Sequence, residues 1–325
     1  MNSRAHWGVD HCRLGLSLGG ASAPGEWARD LALVSFADTL GLHSVWLPEM
    51  HFGRGVTASP LMALTAFAAR TTQIRLATTS ILLPVHEPIA LADEIAALDR
   101  ASRGRTIIGL GRGFNPTLFR AFGIDPRTKR DRFDAALDAI LEAWATAEQV
   151  RSPWQAPHPP LAVAAFGPKG LAQASRRALP YLPSPLEGPD QIAGNLERWR
   201  DGLPAGSDPT QIVSPMMRTV FAAADETEAR DMLAEVERQE RSMKRPGART
   251  PRAIAEAAAV DLAERVVIGT VPEVIDRLSR LRERLGFDLL IVRPQPPGQG
   301  GASSTDALQR LCEEVWPAVS GGYST

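Results

Sequence analysis

The segment VPEVIDRLSRLRERLGFDLLIV, residues 271–292, decides how the rest of the chain is read. Val271, Val274, Ile275, Leu278, Leu281 and Leu285 return at three- and four-residue steps, while Glu273, Asp276, Arg277 and Arg280 take the opposite face. Pro272 suits the first turn of such a helix, and Gly286 stands just past its end. Leu289–Val292 then reads as a strand. The same alternation extends back along the chain. Strands are expected at Leu14–Leu18, Ser44–Leu47, Ile74–Leu83, Thr106–Leu110 and Leu161–Ala165. Helices are expected near Glu26–Leu40, Pro60–Arg70, Pro88–Ala101 and Arg130–Ala145, and from Lys169 onward. The pattern weakens at Leu179–Leu182 and Ile212–Ala222 and recovers at Val271. Strands alternating with helices predict a parallel sheet covered by helices. Eight such units favour one closed (β/α)8 TIM barrel over residues 1–325, with insertions, over an open doubly wound sheet.

Two stretches depart from a minimal barrel. Gln149–Pro160 is a Pro- and Trp-containing connection before the fifth strand. Glu240–Pro251 carries Arg241, Lys244, Arg245 and Arg249, and reads either as a solvated connection or as a lid over the barrel mouth.

Composition narrows the function. Of 325 residues, 44 % are hydrophobic and 22 % charged, with a formal net charge of -1. Interspersed charge of this kind lacks the basic stripe a nucleic-acid surface needs. Cys12 and Cys312, the two cysteines, argue against a disulfide framework or a cysteine metal site. No apolar run approaches the roughly 18 residues of a membrane span, so the expected compartment is the cytoplasm. Ser-His-Asp spacing, H-E-x-x-H and metal-type carboxylate clusters are absent from the sequence, so neither a hydrolase nor a metal site is expected.

A barrel carries its active site at the carboxyl ends of its strands. The second strand runs into Leu47-Pro48-Glu49-Met50-His51-Phe52-Gly53-Arg54-Gly55, and the third into Leu82-Leu83-Pro84-Val85-His86-Glu87-Pro88. The fourth runs into Gly109-Leu110-Gly111-Arg112-Gly113-Phe114-Asn115, and the fifth into Phe166-Gly167-Pro168-Lys169-Gly170. Phe114 stands where a dinucleotide fingerprint needs its third glycine. Gly111 and Gly113 instead allow close approach of a flat ligand, with Arg112 as a fixed cation for phosphate or carboxylate; a structural ion pair is the competing role. Gly167, Lys169 and Gly170 place a cation and backbone donors at a helix N-terminus suited to phosphate. His51 is the candidate general acid or base, with Glu49 orienting it or a ring N–H. His86 reads as structural. Trp46, Phe52, Leu83, Phe114 and Phe166 are candidate apolar walls.

Val45-Trp46-Leu47-Pro48-Glu49-Met50-His51-Phe52 resembles the second-strand signature of the bacterial-luciferase-like flavin-dependent monooxygenases, a tryptophan followed by Glu-His-His-Phe. Thr78–Pro84, the run Leu98-Asp99-Arg100-Ala101-Ser102-Arg103-Gly104-Arg105, Phe122–Asp125 and Ile268-Gly269-Thr270 are similar to further segments of that family, in its order. The resemblance is strongest over Leu31–Phe133 and weak over Pro180–Arg265.

It implies a luciferase-like (β/α)8 barrel that uses reduced FMN as cosubstrate with dioxygen to oxygenate a small organic molecule. A separate flavin reductase commonly supplies the reduced flavin in such systems. The resemblance also implies a non-prolyl cis peptide near Thr79–Ser80, shaping the face on which the flavin lies. Arg112 matches a flavin-phosphate contact, and Glu49 and His51 match the second-strand site. Two alternatives stand beside this one: hydride transfer with the deazaflavin F420, and a flavin-binding paralogue without catalysis. Members are often dimers, and the Ala-rich stretch Leu61–Arg70 offers a face for a second copy or for the core. Two departures argue against light emission: Met50 replaces the family's first histidine, and Gly111 stands at the reactive cysteine of luciferase.

Overall fold

Strand β2 (Ser44–Leu47) and strand β5 (Thr106–Gly111) are buried at every position, as strands covered on both faces must be. The computed structural model describes residues 4–19, 24–52, 57–243, 252–294 and 302–321. The remaining strands are β1 (Arg13–Ser17), β3 (Arg75–Thr78), β4 (Ile81–Leu82), β6 (Leu161–Ala164), β7 (Tyr181–Leu182), β8 (Pro215–Ala223), β9 (Val266–Thr270) and β10 (Leu289–Arg293). All pair in parallel, in the order β7-β6-β5-β3-β2-β1-β10-β8-β9, with β4 continuing β3 against β5. This is the expected (β/α)8 architecture, helices lying outside the strands.

Side chains of alternate parity meet inside. Trp46, Ala77, Ile107, Ala162, Leu182, Met217 and Ile291 come from seven strands and form one cluster, with Trp7 stacked on Trp46 at 6.4 Å. The larger cluster fills the layer between strands and helices. The helix Val271–Leu285 shows how sequence enters that layer. Thr270 and Glu273 close a capping box, and Gly286 ends the helix at φ 63°, a conformation glycine adopts without strain. Val274 and Leu278 are fully buried, each worth about 1.5–3 kcal/mol of transfer free energy.

The structure departs from the sequence reading in four places. The third strand is not continuous over Ile74–Leu83 but breaks after Thr78. Thr79 N still donates to Leu47 O (2.8 Å), and Ser80 O accepts from Glu49 N (3.1 Å), so the chain steps sideways before β4 joins β5. The Thr79–Ser80 bond is trans; among the described residues Ala156–Pro157 is the single cis bond. Both residues keep their links to the β2 edge through Leu47 O and Glu49 N. A further strand, β9, pairs with the outer half of β8 (Thr219–Ala223) because β8 runs nine residues. Finally, β7 lies beside β8 without a ladder, and the seam is bridged by Arg218 Nη1 donating to Glu187 O (2.6 Å). Of the candidate lid, residues 240–243 end the helix Glu226–Met243. Residues 244–251 lie outside the described residues, as do Gly53–Gly55 of the second loop.

The helix Pro60–Ala68 turns Leu61, Leu64 and Phe67 inward and leaves Met62 exposed. Cys12 and Cys312 are both free thiols. No described helix is long and apolar enough to cross a membrane.

Candidate active site at the barrel mouth

The carboxyl ends of β2 to β8 open into one cavity of about 590 Å³. One side of it is cationic. Arg112, one residue past β5, lies across Gly170 in the first turn of the helix Pro168–Ser175. A Cβ at position 170 would stand 2.1 Å from Arg112 Nη2, so only glycine lets the guanidinium rest there. Arg112 Nη1 donates to Gln173 Oε1 (3.1 Å), and buried Gln173 is held in turn by donating to Asp134 Oδ2 (2.8 Å) and Arg130 O (3.2 Å). Asp134 itself pairs with Arg176 and Arg177, and Arg112 has no ion-pair partner among the described residues. Burial pulls the Arg112 guanidinium down to about 10; Arg130 acts in the same direction and Asp134 against it. Lys129 Nζ donates to Gly113 O (3.2 Å) and stands 5.5 Å from the Phe119 ring centre. Burial, then Arg112 and Arg130, lower its pKa. Exposed Arg130 and Lys169 line the same cavity, which also takes in the helix N-terminus capped by Gly167, and cations beside a helix N-terminus attract a phosphate.

A buried carboxylate lies on the β2 side. Glu49 Oε1 accepts from His51 Nε2 (2.7 Å); Oε2 accepts from His86 Nε2 (2.9 Å) and Leu82 N (2.7 Å). Burial alone would raise its pKa, but the His86, His51 and Leu82 donors outweigh burial and hold the carboxyl below its ordinary value. An ionised carboxylate only accepts, so each imidazole donates an Nε2 proton to Glu49.

Thr79, Ser80, Gly111, Arg112, Gly113, Gly167, Lys169, Gly170 and Glu49 all line the cavity. His51 does not: it sits behind Glu49, its ring 5.3 Å from Phe122 and 5.7 Å from Phe52, while Met50 faces the cavity. Gly111 serves its own protein first. A Cβ there would meet Ser80 Oγ at 2.1 Å, so the glycine makes room for β4 against β5 as well as for a ligand. Phe114 and Phe166 are walls; Trp46 and Leu83 are fully buried beneath, and Phe52 stands off at His51.

Sequence reading missed Lys129, Arg130, Gln173, the tie between His86 and Glu49, and the wall made by Leu182–Leu186 with Met217. One signal was available. Lys129-Arg130 opens the helix Lys129–Thr146, where cations oppose the helix dipole and so call for another reason to be there.

A model of the luciferase-like monooxygenase family matches residues 13–289. Limonene 1,2-monooxygenase of Rhodococcus erythropolis is 41 % identical over 113 residues, 34 % of this chain. That match takes in 29 % of the limonene enzyme, so the chain spans less than a third of its length. The oxygenase component of a flavin-dependent trigonelline monooxygenase from Acinetobacter baylyi is 25 % identical over 323 residues, covering 89 % of each chain. Among solved structures, a monooxygenase of Streptomyces bottropensis superposes with a TM-score of 0.79 at 28 % identity, over 94 % of this chain and 99 % of that one.

Proposed function

Because the chain belongs to the luciferase-like monooxygenase family, we propose that its barrel mouth takes up reduced FMN and, with dioxygen, oxygenates a small organic molecule. The observation that carries this reading is the cradle of Arg112 over Gly170, facing a cavity in which Arg112 has no ion-pair partner among the described residues. Its donor set fits the flavin phosphate: a guanidinium with unspent N–H groups, the Lys129 and Lys169 ammoniums and a helix N-terminus. Gly111 and Gly113, Thr79 and Ser80, and the Phe114 and Phe166 walls supply the narrow, largely apolar space a flat ring system needs.

Bound in its reduced form, FMN would supply the electrons that activate dioxygen. The chain's own residues then have three tasks. Arg112 and Lys129 neutralise and anchor the phosphate, Gln173 keeping Arg112 in place. The apolar walls exclude water from the reacting centre. Glu49 lines the cavity and is held by the Nε2–H donors of His51 and His86, so that His51 acts on the site through Glu49. Delivery of reduced flavin by a separate reductase suits an oxygenase component, as the trigonelline relative is described.

The test is a titration of the purified protein with FMN and with F420, followed by turnover of candidate substrates under ¹⁸O₂ with chemically reduced FMN. Micromolar or tighter FMN binding and labelled product are expected. F420 binding without FMN binding would replace oxygenation by hydride transfer. Flavin binding without labelled product from any candidate would leave a protein that holds flavin and does not turn over.

A further inference from the structure

The cavity has a second wall, unlike the cationic one, built by Leu182 and Met217 at its foot and by Pro183, Ser184, Pro185 and Leu186 above, with the Ser184 hydroxyl its one polar side chain. Its backbone has no hydrogen-bond donor left to give. Pro183 and Pro185 carry no N–H. Ser184 N donates to Glu187 Oε2 (2.7 Å), Leu186 N to Ser184 Oγ (3.2 Å), and Glu187 N to Ser184 O (3.1 Å). The Glu187 carboxylate is turned away from the cavity, where it accepts from Tyr181 Oη (2.6 Å) and Asn195 Nδ2 (2.7 Å). Among the described residues, every cation lining the cavity belongs to the opposite side, on the segments after β5 and β6. The lining carboxylate, Glu49, already accepts three hydrogen bonds.

We propose that the substrate is a neutral, largely hydrocarbon molecule seated against this largely apolar wall. The proposal rests on the flavin reading, which assigns the cationic side to the cofactor. An anion against Leu182–Leu186 would lose its hydration for at most the one neutral donor of the Ser184 hydroxyl, and a cation would find no free carboxylate among the described residues; either exchange is unfavourable against a largely apolar wall. A hydrocarbon body loses nothing and gains by burial.

Three near-isosteric probes test this on the FMN-loaded protein: cyclohexyl methyl ketone, cyclohexanecarboxylate and cyclohexylmethylammonium, each followed by its perturbation of the bound flavin's absorbance. The ketone is expected to bind at least about tenfold tighter than either ion, a contrast of the size apolar pockets deliver. Leu186→Arg, which adds donors to a loop position that is only half-buried, is expected to reverse the ketone-to-carboxylate preference, read on protein saturated with FMN. Ketone binding no better than either ion, including no binding of any, overturns the proposal, as does an unchanged preference in Leu186→Arg. Failure of FMN to bind the unmodified protein is read separately, in the first titration, and removes the flavin reading instead.

Discussion

Glu49→Gln is the substitution that examines the β2 side most closely. The carboxylate oxygen Oε2 accepts two donors, His86 Nε2 and Leu82 N, while Oε1 accepts one, His51 Nε2. A glutamine therefore keeps its oxygen at the doubly occupied position and turns its NH₂ toward His51. Two donors then face each other unless the His51 proton moves from Nε2 to Nδ1, so the variant should flip the His51 tautomer and leave His86 unchanged. Three charge-assisted hydrogen bonds become neutral ones at about 1 kcal/mol each, offset in part by removing a charge from a side chain that is 1 % exposed. A net loss of about 1–2 kcal/mol follows. Glu49→Ala is harsher: it strands the Leu82 N–H and the His51 N–H in a buried site, whereas His86, 31 % exposed, regains water. Its cost should be about 3–5 kcal/mol. ¹⁵N-resolved histidine spectra at alkaline pH report the tautomers, and denaturant unfolding reports the energies. The stability that Glu49 contributes is present above the ordinary carboxylate value of 4.5 and lost as pH falls through its depressed value. A His51 that keeps its Nε2 proton in Glu49→Gln, or a Glu49→Ala cost below about 1 kcal/mol, would refute the reasoning.

Gly170→Ala should leave stability level or slightly raised, since alanine favours the helix by about 1 kcal/mol. Its Cβ, 2.1 Å from Arg112 Nη2, pushes the guanidinium off its seat. FMN affinity measured by fluorescence quenching should fall about 10- to 100-fold; unchanged affinity would count against Arg112 as the phosphate anchor. Gly111→Ala places a Cβ 2.1 Å from Ser80 Oγ and should cost about 1–3 kcal/mol by overpacking. Ser80→Gly in the same chain should recover most of that loss, and additive effects in the double-mutant cycle would show that the two residues do not meet. Burial pushes the Glu187 carboxyl from 4.5 to about 7, against the restraint of Tyr181, Ser184 and Asn195. A raised acid pKa stabilises the fold at low pH, and that contribution is lost as pH climbs from 4.5 to about 7, by on the order of 3 kcal/mol. The stability difference between the unmodified protein and Glu187→Gln should therefore change by that amount between pH 4.5 and 7.5; a constant difference would place Glu187 in water.

The amino-acid sequence by itself determined the units of the fold and the ends at which chemistry gathers. Val271–Leu285 was legible because its apolar period, its opening Thr270-Val271-Pro272 and its closing Gly286 are local signals. The loops after β2, β4, β5 and β6 were legible because polar and glycine-rich runs interrupt apolar strands. Elements too short to show a period were lost or blurred, Tyr181–Leu182 with two residues above all, and with it the unladdered seam that Arg218 bridges. Tertiary structure alone decided which groups are already spent. That His86 shares a carboxylate with His51, that Gln173 pins Arg112 and that Gly170 admits it depend on partners far apart in the chain, and that the Pro183–Leu186 wall has spent its backbone N–H groups depends on how that loop folds on itself. A sequence period reports how one element divides between core and water. The charge and hydrogen-bonding capacity a cavity retains is what remains after every distant contact has been made, and only the folded chain makes them.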